Sequence, residues 1–324
     1  MLFGQVSWFE GNVFKLRHII YIWVSGMSTC KLSEDKLKLL KLWGEVARRY
    51  EGVSDFHFDF KEQQNRLEEI KKFTNNFLSD GDKKSFREMW MRIYSAKKQA
   101  PTWYNVWVNN EVKKLMAVIR EIKNAESYNQ KWEDEIKNAG PSTLGELFGL
   151  LHIDEHPIRN TAAEEGLKFF EFKFKEGNYQ DFENKFNEFK ENCYKKYVTH
   201  ATKGKNYELP LNLEIDQLFN IIDKLDIRKN KNNKNNRNKV INKLETEEPY
   251  KSDMIIKIFY RNLLKLTDNE NERENDYERI KISISDRIKQ LKFKKQIILY
   301  GQPGTGKTYN ARKLAVELIE QEVF

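Results

Sequence analysis

Cysteine is scarce: the chain of 324 residues holds two, Cys30 and Cys193. Neither has a second Cys or a His at metal-ligand spacing, so the sequence supports neither a disulfide framework nor a zinc site, and a reducing cytoplasm is the expected compartment. Proline is sparse at six and glycine at fifteen. The dense, regular turn signals of a β-sandwich or barrel are missing. Long apolar runs are also missing. The longest near the start, Ile19 to Val24, has six residues, too few to cross a bilayer or to act as a secretory h-region.

What is present points to helices. Hydrophobic residues make up 39% of the chain and aromatics 13%, enough apolar surface to offset ordering entropy and exclude wholesale disorder. Lys, Glu, Leu and Ile are abundant, and all but Ile are strong helix formers. Fifty-seven Lys and Arg against 49 Asp and Glu leave a net charge of +8, which permits contact with a polyanion such as DNA without demonstrating one. The length suits about two domains.

Residues 1–26 lack helical periodicity and read as a leader or a short arm, with Met27 as an alternative start. Ser33 then caps a run with Leu37, Leu40, Trp43 and Val46 on one face. Phe86, Met89, Trp90, Ile93 and Tyr94 repeat the 3.6 period, as do Val112, Leu115, Met116, Ile119 and Ile122. Pro101 to Trp107 reads as an extended, aromatic-rich opening to the second of these runs. Thr143 to Glu146 and Thr161 to Glu164 have the capping-box pattern, the second opening a helix expected to stop near Gly177. Tyr179, Phe182, Phe186, Phe189, Cys193 and Tyr197 form another stripe, and Ile215, Leu218, Phe219, Ile222 and Leu225 follow Asn212. These runs define a mainly α recognition or interaction domain over 27–227. Arg228 to Lys239 consists of six basic residues and six Asn, so 228–248 reads as a solvated linker. A second domain is expected over 249–324.

One motif carries chemistry. Gln296 to Tyr300, a short β-rich run, leads into Gly301-Gln302-Pro303-Gly304-Thr305-Gly306-Lys307-Thr308, the GxxxxGK[ST] pattern. Its glycines let backbone N–H groups turn toward phosphate oxygens. Lys307 brings charge to the β and γ phosphates, and the Thr308 hydroxyl is a ligand for Mg²⁺. Tyr309 to Glu320 has Ala311, Leu314, Ala315 and Leu318 at helical spacing, so the loop opens a helix whose N-terminus attracts an anion. A chain of this length meets the bare pattern by chance about one time in a hundred.

The segment IILYGQPGTGKTY resembles the Walker A region of AAA+ NTPases, in particular the McrB-like group of modification-dependent restriction systems. Pro303 to Tyr309 matches the usual wording, and Gln302 stands where a second Pro is common. The resemblance covers about residues 290–324. It implies an α/β P-loop domain binding ATP or GTP with Mg²⁺ through Gly301, Pro303, Gly304, Thr305, Gly306, Lys307, Thr308 and Tyr309. It also implies DNA, a nuclease subunit and further copies of the chain as partners. Sixteen residues follow Thr308, so the Walker B acids, sensor and arginine finger are expected outside this chain, which alone is expected to be inactive. A non-catalytic binding module, a remnant of a disrupted gene and an AAA+ protein remodeller are the alternatives.

Other constellations carry less. His152 and His156 flank Asp154 and Glu155 at metal-like spacing, but Pro157 pushes His156 out of the α region, and a loop between helices is the expectation. Asp154 with Glu171-Phe172-Lys173 has the outline of a nuclease site, yet the Glu-x-Lys tripeptide recurs throughout the chain. Trp103, Tyr104 and Trp107 either pack as core or stack on an exposed base.

Overall fold

The computed structural model describes residues 32–49, 59–97, 102–226, 233–246 and 254–267, with 315, 316 and 318 besides. Among these the protein is mainly helical and contains no strand. The longer helices are α1 (Glu34–Arg49), α2 (Phe60–Asp80), α3 (Lys83–Trp90), α4 (Thr102–Asn109), α5 (Val112–Asn124), α6 (Pro141–Leu151), α7 (Thr161–Phe169), α8 (Tyr179–Phe189), α9 (Leu211–Leu225), α10 (Asn233–Thr246) and α11 (Met254–Leu266). Short polar residues set many of the starts. Asp59, Asp82, Asn160 and Asn178 each accept a backbone N–H from the first turn of the helix that follows, satisfying donors with no intrahelical partner. Gly81, at φ 61°, closes α2 and leaves only Asp82 before α3, a tight corner that positions α3 beside α4.

The apolar stripes meet in a continuous core. Phe77 packs on Phe86 at 5.2 Å, and Phe86 on Trp107 at 5.4 Å. Helices α7 and α9 approach closely: a Cβ on Gly166 would lie 2.2 Å from the Phe219 ring. Only glycine allows that approach. The stripe of α8 runs on through a π turn, Lys190–Tyr194. This wider turn lets the adjacent Cys193 and Tyr194 both be buried. The Tyr194 hydroxyl accepts from Trp43 Nε1 at 2.8 Å and donates to Glu214 at 2.7 Å. Glu214 also accepts from the Ala201 and Thr202 backbones and the Thr202 hydroxyl, so this buried carboxylate is fully hydrogen-bonded, as burial of a charge requires.

Several sequence expectations are corrected. Thr102–Asn109 is a helix, not an extended segment. Its early turn is fixed by the Thr102 hydroxyl on the Ala96 carbonyl. The helix containing Thr143 starts earlier, with Gly140 as cap and Pro141 in its first turn, which turns Glu146 into the core instead of back onto the cap. Asn160, not Thr161, caps α7. That helix ends at Phe169, because Glu171 adopts φ 68° and the Phe172 N–H returns to the Leu167 carbonyl, a left-handed closure that glycine usually marks in a sequence. The Asn-rich stretch is helical from Asn233 to Thr246, with Val240 and Arg237 buried. Arg237 donates to the Leu264 carbonyl and the Thr267 hydroxyl, so this part of the expected linker packs on α11. In turn α11 sets Phe259 against Trp43 of α1 at 5.8 Å. Cys193 is disulfide-bonded. Cys30 lies outside the described residues. No helix among the described residues is long and apolar enough to cross a membrane.

Candidate nucleic-acid interface

The corner between α2 and α3 and the full helical turn at Thr102 bring four side chains onto one surface. Lys83 and Arg87 stand one turn apart on α3, both exposed. The Lys83 ammonium lies 5.1 Å from the Tyr104 ring centre and 5.8 Å from that of Trp103, and the Arg87 guanidinium lies 5.5 Å from Trp103, within the range of cation–π attraction. Neither cation has a carboxylate partner among the described residues. The nearby acids are engaged at the corner, where Asp82 accepts from the Lys84 N–H and Asp80 from Ser85 and the Asp82 N–H. Those bonds hold the Asp80 carboxyl below the usual range.

The three aromatics of α4 divide. Trp107 is a core anchor, edge-on to Phe77 at 6.5 Å and against Phe86. Trp103 is half-buried. Tyr104 is 44% exposed and Val108, one turn later, 51%. An eight-residue helix that buries only Val106 therefore shows an apolar and aromatic face to solvent beside two cations that have no carboxylate partner among the described residues.

The opposite side of α4 walls a cleft of about 410 Å³ lined by Thr102, Asn105, Glu133 and residues 136–140. Its far wall is fastened by Asn110, which exchanges two 2.9 Å hydrogen bonds with the Lys137 backbone. Asn138 holds the turn at φ 65°. Glu133 accepts from the Tyr128 hydroxyl at 3.0 Å and lies 4.0 Å from Arg159. Burial and the Glu133 charge push the Tyr128 hydroxyl pKa well up. Behind Glu133, Tyr128 stacks on Tyr179 at 4.2 Å, and Arg159 binds Glu164 at 2.8 Å. His152 and His156 sit at the edge of this cluster, their ring centres 6.1 Å apart. Each has its own partner, the Ile122 carbonyl and Glu183, and no three potential ligands converge among the described residues. Glu171 pairs with Lys36 instead of joining Asp154.

Gly301, Pro303, Gly304, Thr305, Gly306, Lys307, Thr308 and Tyr309 lie outside the described residues. Of the helix expected behind them, Ala315, Val316 and Leu318 are described and helical, with Val316 buried and Ala315 exposed. The aromatics of α4 stand out in the sequence, whereas Lys83, Arg87, Asn105 and Glu133 do not. A Lys and an Arg four apart are common on solvated helices, and only the turn at Gly81 places these two against Trp103. No family model, no curated protein and no solved structure matches the chain.

Proposed function

We propose that the chain is part of a P-loop NTPase of the AAA+ class, similar to the McrB-like restriction group, whose helical body contacts DNA while the Walker A segment binds ATP or GTP. The observation that carries this reading is the order of elements in the sequence: a β-rich run, Gly301 to Thr308, then a segment helical where it is described. The residue set suits a magnesium nucleotide. Glycine backbone N–H groups and the Lys307 ammonium offer donors to phosphate oxygens, and the Thr308 hydroxyl offers a hard ligand. The bound nucleotide would supply the free energy of phosphate transfer, and Lys307 holds its terminal phosphates in place. Further copies of the chain and a nuclease subunit are the partners this reading entails.

The test is binding of Mg–ATP and Mg–GTP by the full chain, compared with Lys307→Ala. Loss of binding in the variant is expected; equal binding in both proteins counts against the P-loop. A second reading, a binding module that works without nucleotide, draws on the exposed α4 face and is separated from the first by the same titration.

A further inference from the structure

We infer that the α3–α4 face is a binding surface for single-stranded nucleic acid, with Tyr104 as the base platform and Lys83 and Arg87 as phosphate contacts. The inference rests on the reading of the helical body as the DNA-contacting part, and it specifies the form of nucleic acid and the residues. Surfaces that hold single strands combine a ring on which any base can stack with cations that follow the backbone. Here both components occupy one patch, with Lys83 about one ring's width from Tyr104.

Charge decides between occupants. A purely apolar partner would bury Tyr104 and Val108 but would also strip water from Lys83 and Arg87, two charges with no carboxylate partner among the described residues, at a large desolvation penalty. A polyanion neutralises them instead and still covers the ring. Duplex DNA fits less well, because its bases are stacked inside and offer Tyr104 no face.

The experiment uses the full chain and a fluorescein-labelled oligothymidylate, followed by fluorescence anisotropy at several salt concentrations, with a hairpin duplex as comparison. The single strand is expected to bind more tightly than the hairpin. Tyr104→Ala should weaken it about tenfold, the effect of losing one stacked base, and Tyr104→Phe should restore most of that. Replacing Lys83 and Arg87 together by Ala should lower the slope of log affinity against log salt by about 1.4, two phosphate contacts on a single strand. All these side chains are exposed or half-buried, and circular dichroism confirms that each variant is folded. Preference for the hairpin, or single-strand binding indifferent to Tyr104 and to both cations, overturns the inference while leaving DNA contact by the helical body intact. Binding of neither oligonucleotide removes both, and Mg–nucleotide binding at Lys307 is measured separately from either.

Discussion

Arg66 and Glu146, eighty positions apart, form an ion pair whose side chains are 4% and 0% exposed. Glu146 also accepts the backbone N–H groups of Tyr94 at 2.7 Å and Ser95 at 2.9 Å, and the Arg66 guanidinium stacks 3.7 Å over the Tyr94 ring. The pair ties α2 and α6 to the turn that leads toward α4, so the geometry of the aromatic face depends on it. Burial, with the Glu62 hydrogen bond behind it, raises the Tyr94 hydroxyl to about 12.

Removing one member of such a pair strands the other in the core. Glu146→Ala is expected to destabilise the fold by about 3–5 kcal/mol, the usual consequence of an uncompensated buried charge. Urea denaturation followed by circular dichroism reads this directly. A loss below about 1 kcal/mol would mean that water reaches Arg66.

Asp216 lies near the same pair, fully buried, with Asn220 donating to Oδ2 at 2.8 Å and no partner for Oδ1. Burial, reinforced by the Glu146 charge, pushes its carboxyl from 3.8 up to about 7. A carboxyl whose folded value is raised adds stability that is complete below about 4 and is lost as pH rises through about 7. Stability relative to Asp216→Asn should therefore fall between those values, by on the order of 2–4 kcal/mol. A difference between the two proteins that stays constant over pH 4–8 would show that Asp216 does not titrate in this window.

The α7–α9 contact has no room for a methyl group. Gly166→Ala should cost about 2 kcal/mol or more, because the Phe219 ring and the helix behind it must move. Thermal melting of the variant beside Gly177→Ala separates packing from backbone conformation, since Gly177 has open space around it but φ 76°. Equal losses at the two sites would show that helix spacing is not what Gly166 protects.

Helix faces were legible wherever apolar residues recur with a 3.6 period: α8 and α9 bury the residues their spacing singles out, while on α1 and α5 most are buried and Leu37, Val112 and Met116 are half-buried. Boundaries failed where a tertiary partner overrode a local signal. Glu146 has the spacing of a capping residue, but Arg66 and two backbone donors from a distant turn claim it. Pro101 and a run of aromatics suggest extended chain, yet α4 is helical because Trp107 and Val106 find the core. The Asn-rich stretch has little to bury by itself, and it folds as α10 where Arg237 meets carbonyl and hydroxyl acceptors on α11. The candidate interface was half legible: aromatic density marks α4, while the convergence of Lys83, Arg87 and Glu133 around it depends on turns far apart in the chain. The phosphate loop is the reverse case, legible in its residues and outside the described structure.

The central claim is that Gly301 to Thr308 holds a nucleotide, and isothermal titration of the full chain with Mg–ATP and with Mg–GTP tests it most directly. Saturable binding of at least one nucleotide, abolished by Lys307→Ala and weakened when magnesium is removed, is the result the account predicts. No heat of binding from either nucleotide, or binding that survives Lys307→Ala unchanged, would contradict it.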